Sequence, residues 1–240
     1  TADKPVIIFS LTKSLIGLLA GIALEQGHIQ SLSDPVERYA PELKGTAYEG
    51  VTIQNVLDMS SGVRWTEAYT RSDAEIVQSL LASLTGSLNA YTQRMQRARP
   101  QGEFNQYTSM DTQVLGMVIA GATAQPLQNY FNAALWGRIH PEHAGHFMTD
   151  KTGEVLAYGG LMVTPRDLAK VGLLMLRKGR NERGDPVLPP AWIDASTQPD
   201  RPHLMPGKRP NGDVDEGYKN QWWFPVDRQG GEFSGIGIYG

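Results

Sequence analysis

The longest apolar segment of the chain lies near its N-terminal end, where Leu15 to Leu24 form ten consecutive uncharged residues between Lys13 and Glu25. A helix that is apolar nearly all round is typical of the centre of a protein, and Gly27 is a residue type that ends helices. Crossing a bilayer takes about 18 or more such residues. The segment therefore predicts a buried helix and no membrane span.

Apolar residues recur at helical spacing in several later segments, whereas period-two patterns are confined to the two ends of the chain. The predicted helices cover residues 73–84, 109–122, 126–139 and 165–179. The predicted strands cover 5–9, 221–224 and 233–239. Residues 85–106 are polar without a regular period, which indicates a long loop. The pattern predicts a mostly helical protein with strands at its two ends.

Composition then limits the chemistry. The 240 residues are 40% hydrophobic and 20% charged, which is typical of a folded globular protein. A net charge of −3 provides no basic stripe, so no nucleic-acid partner is predicted. The absence of cysteine excludes disulfides, thiol nucleophiles and iron–sulfur clusters. Imidazoles at His140, His143 and His146 are possible metal ligands, but Pro141 and Gly145 make a regular helix unfavourable there. We interpret this cluster as a solvated loop, and we predict no metal and no cofactor.

The candidate nucleophile is Ser10, which stands three residues before Lys13 at the start of the apolar helix. That spacing puts both side chains on one face, one turn apart. A serine hydroxyl needs a base to remove its proton, and a lysine can do this when burial lowers its pKa. The alternative is a capping serine with a solvated lysine, and the motif alone does not decide between the two.

A serine of this kind also needs a second group that moves protons. Three tyrosines are followed two residues later by Asn or Ser, namely Tyr107, Tyr130 and Tyr218. Tyr130 lies within an amphipathic helix and Tyr218 enters a strand pattern. Tyr107 lies between a polar loop and a helix, where its side chain can face a cleft. We therefore predict that Tyr107 is the partner of Ser10; a plain surface tyrosine is the alternative.

Together these segments resemble the serine β-lactamase and penicillin-recognising superfamily, and within it the class C-like esterase and nylon-oligomer (6-aminohexanoate-dimer) hydrolase branch. The resemblance rests on residues 9–21, 102–116, 158–172 and 233–240 in that order. It implies an α/β (α+β) fold of the β-lactamase/transpeptidase type, with a helical subdomain packed on an antiparallel sheet. It also implies one domain over residues 1–240 that lacks the first and last strands of the family.

The resemblance also implies roles for individual residues. Ser10 would be acylated, Lys13 would be its base, and Tyr107 would protonate the leaving group and activate the deacylating water. The N–H of Ile236, between Gly235 and Gly237, would form the oxyanion hole together with that of Ser10. The residues implied to line the substrate pocket are Ser109, Trp65, Tyr158, Gly235 and Gly237.

Two departures from the family pattern bear on the substrate. The Lys of the third motif, Lys-Thr-Gly in β-lactamases, is absent near Gly235, and Ser109 replaces the Asn of Tyr-x-Asn. Both favour a small-molecule ester or linear amide as the substrate. The alternatives are a β-lactamase or D-Ala-D-Ala carboxypeptidase-type enzyme, and a non-catalytic binding or sensor domain. The sequence fixes neither the oligomeric state nor the compartment.

Overall fold

The apolar segment near the N-terminus forms the central helix of the protein. The computed structural model describes residues 2–239, and helix α1 spans Leu11–Glu25. Every residue from Thr12 to Ala23 is buried, as the nearly uniform apolar pattern predicts. Among the described residues, no helix is long and apolar enough to span a membrane.

Residues 2–239 contain six further α-helices, of which α4 packs against α1. They are α2 (Ile53–Leu57), α3 (Glu75–Thr85), α4 (Ser109–Thr123), α5 (Leu127–Phe131), α6 (Pro165–Leu176) and α7 (Pro190–Ser196). Short 3-10 segments lie at Val36–Arg38, Pro41–Leu43, Asn89–Arg94, Gly137–Ile139 and Pro202–Leu204, with a π-helical turn at Asn132–Trp136. The buried apolar side chains form one continuous cluster around α1 and α4.

In the described part of the chain, the strands are short and form two antiparallel sheets. Strand β1 (Val6–Ile7) and strand β2 (His146–Phe147) flank β3 (Leu161–Val163), in the order β1-β3-β2. Strands β4 (Gly217–Lys219) and β5 (Trp222–Phe224) form a hairpin. Its two-residue loop, Asn220–Gln221, has φ of 47° and 72°, the backbone that a tight turn of the I′ type requires.

The structure corrects three of the element predictions. Strands β2 and β3 lie in the middle of the chain, where no strand was predicted. Each is only two or three residues long, which is too short for a recognisable pattern. The segment 85–106 is not wholly a loop, since Asn89–Arg94 is a 3-10 helix. Among the described residues of 233–239, pairing is limited to a bridge between Ser234 and Trp223. The segment predicted as one helix from Pro126 to Ile139 is helical, but it changes from α-helix to a π-helical turn and then to a 3-10 helix.

Candidate active site

Ser10 lies at the point where the chain turns into α1. The preceding residue, Phe9, has a φ of 44°, a left-handed conformation that costs a non-glycine residue energy and is often found at active sites. Although Ser10 precedes α1, its side chain makes no capping hydrogen bond. Instead Ser10 Oγ accepts a hydrogen bond of 3.0 Å from Lys13 Nζ. This geometry contradicts the alternative of a capping serine.

Lys13 is buried, with 1% of its surface exposed, which contradicts the alternative of a solvated lysine. Its Nζ donates a second hydrogen bond, of 2.7 Å, to the Tyr158 carbonyl oxygen. Burial lowers the pKa of Lys13 from 10.5 to about 8, and the negative charge of Glu67 acts in the opposite direction. With a pKa of about 8, Lys13 is mostly protonated at neutral pH, and its minor neutral fraction could act as a base for Ser10.

Tyr107 faces the same pair from the segment that leads into α4. Lys13 Nζ lies 5.1 Å from the centre of its ring, and the Trp223 ring packs on it at a centroid distance of 4.9 Å. The Tyr107 N–H donates to Asp213 Oδ2 at 3.1 Å, which fixes the backbone. Burial raises the pKa of Tyr107, Glu67 raises it further, and a hydrogen bond with the Ser10 side chain lowers it. Tyr107 therefore keeps its proton at neutral pH and can donate it.

A carboxylate that the sequence analysis missed, Glu67, stands beside these three residues. Glu67 Oε1 accepts hydrogen bonds from Ser109 Oγ at 2.6 Å and from Tyr69 OH at 2.8 Å. Its Oε2 accepts from the Trp65 indole and from the Ser109 N–H. The nearby Trp65 was the one available signal in the sequence, since a buried indole N–H needs an acceptor.

Two cavities open at Ser10. The first, which we call the aromatic cavity, has a volume of about 310 Å³ and is lined by Tyr107, Trp223, Glu67 and Glu216 besides Ser10. The second, which we call the apolar cavity, has a volume of about 260 Å³ and is lined mostly by aliphatic and aromatic side chains. Ser10, Tyr69 and Ile238 line both cavities. Ser10 therefore lies where the aromatic and apolar cavities meet.

The other predicted site residues divide into two groups. Ile236 and Gly237 line the aromatic cavity, and Tyr158 lines the apolar cavity. The remaining three, Ser109, Trp65 and Gly235, line neither cavity. Ser109 and Trp65 are buried and donate hydrogen bonds to the Glu67 carboxylate. Gly235 lies against the side chains of Leu11 and Ser14 on α1.

The two backbone N–H groups implied for the oxyanion hole have no hydrogen-bond partner among the described residues. Among the described residues, no backbone or side-chain hydrogen bond uses the N–H of Ser10 or of Ile236. Donors of this kind stabilise the negative charge that develops on a carbonyl oxygen under attack. An acyl-transfer site would need such donors beside a nucleophile and proton-transfer groups of the kind that Ser10 Oγ, Lys13 and Tyr107 offer.

The histidine cluster lies away from this site and has structural contacts. The backbone N–H groups of Glu142 and His143 donate to the buried carboxylate of Asp167, at 2.6 and 3.1 Å. The His143 ring also lies 3.3 Å from this carboxylate. Within residues 2–239, no group of three or more potential ligands is arranged to hold a metal ion.

Comparison with known proteins supports a specific family. A sequence model described as Beta-lactamase matches residues 1–240. A 6-aminohexanoate-dimer hydrolase from Paenarthrobacter ureafaciens is 29% identical over 258 aligned positions, which cover 99% of this chain and 62% of that protein. The chain therefore spans less than two thirds of this relative's length. A β-lactamase from Providencia stuartii is 30% identical over 53% of this chain and 29% of its own.

Solved structures share the fold over almost the whole chain. A Bacillus anthracis protein described as a candidate 6-aminohexanoate-dimer hydrolase superposes with a TM-score of 0.86 at 24% identity, covering 100% of this chain and 63% of that one. A hydrolase with promiscuous acyltransferase activity gives 0.79 at 16% identity, covering 100% and 76%. At these identities the structural likeness concerns the fold. With a family match along its whole length and the β-lactamase/transpeptidase-like fold, this chain belongs to the Beta-lactamase family.

Proposed function

We propose that this protein is a serine hydrolase that cleaves a small ester or linear amide through an acyl-enzyme. The observation that carries the proposal is the buried Lys13, whose Nζ donates to Ser10 Oγ and whose pKa is lowered to about 8. A solvated lysine would be charged at neutral pH and could not accept the proton of Ser10. The family's named relatives, which include hydrolases of amides and β-lactams, support the same class of reaction.

In the acylation step, Ser10 Oγ forms a bond to the substrate carbonyl carbon while its proton passes to neutral Lys13. The oxyanion is stabilised by the free N–H groups of Ser10 and Ile236. Tyr107 then donates its proton to the leaving alcohol or amine as the bond to carbon breaks, and it is reprotonated from Lys13. Water attacks the acyl-enzyme with its proton taken by the same pair, which releases the acid and restores Ser10.

The charge of the site favours an ester or linear amide over a β-lactam. The aromatic cavity presents the carboxylates of Glu67 and Glu216, and its lining contains no lysine or arginine among the described residues. A β-lactam carrying a carboxylate would meet like charge there, which is unfavourable at short range. This agrees with the absence of the third-motif lysine from the sequence.

The test is intact-mass spectrometry after incubation with a fluorophosphonate, together with turnover of nitrophenyl acetate. We expect a single adduct and turnover in the wild type, and neither in the Ser10→Ala variant. An adduct without turnover would favour the binding or sensor alternative. The absence of any adduct on a folded chain would overturn the assignment of Ser10 as nucleophile.

A further inference from the structure

The apolar cavity at Ser10 is built from segments that lie far apart in the sequence. Ile76 and Leu80 enter it from successive turns of α3, Ile7 enters from β1, and Met148 and Leu156 enter from the region between β2 and β3. Its lining contains no charged side chain among the described residues. A cavity of this composition binds hydrocarbon and disfavours ionised groups, which lose their water there without gaining a partner.

A lysine beside the wall of the apolar cavity reinforces this selection. Lys13 Nζ lies 5.4 Å from the centre of the Tyr158 ring, and this ring forms part of the cavity wall. Whenever Lys13 carries its proton, an ammonium group in the cavity would face like charge in a region of low dielectric constant. The carboxylates of Glu67 and Glu216 line the aromatic cavity instead.

The position of Tyr107 indicates which cavity holds the leaving group of the substrate and which holds its acyl chain. Tyr107 lines the aromatic cavity and not the apolar cavity. The group that protonates the leaving group must lie within hydrogen-bond reach of it. The leaving group therefore belongs in the aromatic cavity, and the space left for the acyl arm is the apolar cavity.

We propose that the apolar cavity is the acyl subsite and that it selects an uncharged hydrocarbon acyl chain over one that ends in an ammonium group. The inference rests on the proposed acyl-enzyme function and specifies its substrate class. In this proposal, the side chains from α3, β1 and the β2–β3 region that line the apolar cavity determine which acyl chain is accepted.

The experiment compares two nitrophenyl esters that differ in one terminal group. Heptanoate ends in a methyl group, and 6-aminohexanoate carries an ammonium group in the same position on a chain of equal length. We expect kcat/KM for heptanoate to exceed that for 6-aminohexanoate by about 10²-fold, after subtraction of the uncatalysed rates, because the ammonium group is desolvated without a partner. Equal values, or a preference for the ammonium ester, would overturn the proposal.

A pair of isosteric variants tests whether the cavity itself sets this selectivity. Met148 is 45% exposed and so can be replaced by a polar residue without loss of the core. The Met148→Glu variant places a carboxylate at the cavity, and Met148→Gln has the same shape without the charge. We expect Met148→Glu to raise the relative kcat/KM for 6-aminohexanoate at least about tenfold over Met148→Gln. Identical selectivity in the two variants would place the acyl arm elsewhere.

Calorimetry on the Ser10→Ala variant separates this proposal from the proposed function. Heptanamide and 6-aminohexanamide are unreactive in that variant and report binding alone. Tighter binding of heptanamide supports the subsite even if the wild type proves to have no turnover. Turnover of nitrophenyl acetate together with equal binding of the two amides would leave the hydrolase function intact and refute the subsite.

Discussion

At the residue scale, the proposed role of Lys13 as base predicts that its pKa sets the pH dependence of acylation. Because only neutral Lys13 accepts the Ser10 proton, kcat/KM should rise with pH through about 8. Glu67 raises the pKa of Lys13, so the Glu67→Gln variant should move the midpoint of this rise to lower pH. The measurement is the pH profile of kcat/KM with nitrophenyl acetate. A flat profile in the wild type, or an upward shift in Glu67→Gln, would contradict the assignment of Lys13 as base.

The burial of Lys13 also has a cost in stability. The folded pKa of about 8 lies below the value of 10.5 expected for the unfolded chain, so the unfolded state binds more protons between these values. The stability of the wild type should therefore rise as pH increases from 8 to 10.5. We expect the Lys13→Met variant to lose activity. Its free energy of unfolding at pH 7 should rise by on the order of 3 kcal/mol, reduced by the contribution of the two hydrogen bonds that the lysine makes.

Chemical denaturation of both proteins across this pH range tests the prediction. The advantage of Lys13→Met over the wild type should shrink as pH rises towards 10.5. A variant that is less stable than the wild type by the same amount at every pH would show that packing, and not ionisation, dominates at this position.

The sequence indicates the proposed catalytic residues better than the residues that surround them. Ser10 and Lys13 share one helical turn, so their proximity follows from spacing alone, and the context of Tyr107 selects it among three tyrosines. Glu67 reaches the site only because Ser109, Trp65 and Tyr69 hold its carboxylate. Trp65, two residues from Glu67, is the one local signal in the sequence, and it does not report the contact with Ser109 on α4.

At the element scale, α1 depends on a glycine for its close approach to α7. A Cβ added at Gly21 would overlap the Trp192 ring, whereas one added at Gly172 on α6 has no heavy atom of the described residues within 4 Å. We expect Gly21→Ala to lower the free energy of unfolding by about 1–3 kcal/mol. The matched Gly172→Ala control should raise it by up to about 1 kcal/mol, since alanine is the better helix former. Thermal unfolding measures both, and a stabilised Gly21→Ala would contradict this packing.

Helix α4 carries a buried carboxylate that destabilises the protein when it is ionised. Asp111 Oδ1 accepts from Tyr48 OH and Ser61 Oγ, both at 2.8 Å, while its Oδ2 has no partner within the described residues. Burial raises the pKa of Asp111 from 3.8 to about 7. The folded state therefore binds more protons than the unfolded chain between these values, and this carboxyl makes stability fall as pH rises through them.

The Asp111→Asn variant should therefore be more stable than the wild type by about 1–3 kcal/mol at neutral pH, and the difference should vanish near pH 4. Asp150 provides a control of opposite sign, because both of its oxygens accept hydrogen bonds from backbone N–H groups. Asp150→Asn should destabilise the protein at neutral pH. Urea denaturation at pH 4 and pH 7 distinguishes these outcomes, and a destabilised Asp111→Asn at pH 7 would refute the prediction.

Element prediction succeeded where a pattern extends over many residues. Helices α1 and α4 each span 15 residues, which is enough for a periodic pattern to be recognised. Strands β2 and β3 contain two and three residues, so a period of two is barely repeated within them. They are strands because β3 pairs with both β1 and β2, and these pairings join parts of the chain that are distant in sequence.

At the scale of the whole molecule, one hairpin loop connects elements from most of the chain. Gln221 Oε1 accepts from Thr112 Oγ1 on α4 at 2.6 Å, and its Nε2 donates to the Leu57 carbonyl on α2 at 2.9 Å. Its own carbonyl accepts from Ser14 Oγ on α1 at 2.8 Å. The residue is buried. The hairpin therefore anchors three helices to the C-terminal part of the described structure.

A glycine substitution isolates the contribution of this side chain, because the φ of 72° at Gln221 suits glycine. We expect Gln221→Gly to lower the free energy of unfolding by about 2–4 kcal/mol, since the side-chain hydrogen bonds to Thr112 and Leu57 are lost and these partners stay buried. The exposed Gln229 supplies the control, and Gln229→Gly should change stability by less than about 1 kcal/mol. Equal effects of the two substitutions in urea denaturation would show that the hairpin does not anchor the helices.

The packing of Trp223 on Tyr107 gives the protein an internal optical probe. The indole lines the aromatic cavity and lies 4.9 Å from the tyrosine ring at the centre of the site. A leaving group or inhibitor that enters this cavity displaces water from the indole and changes its emission. A change in tryptophan fluorescence that disappears in the Trp223→Phe variant therefore reports that the aromatic cavity is occupied. Stopped-flow mixing can then follow the departure of the leaving group before deacylation.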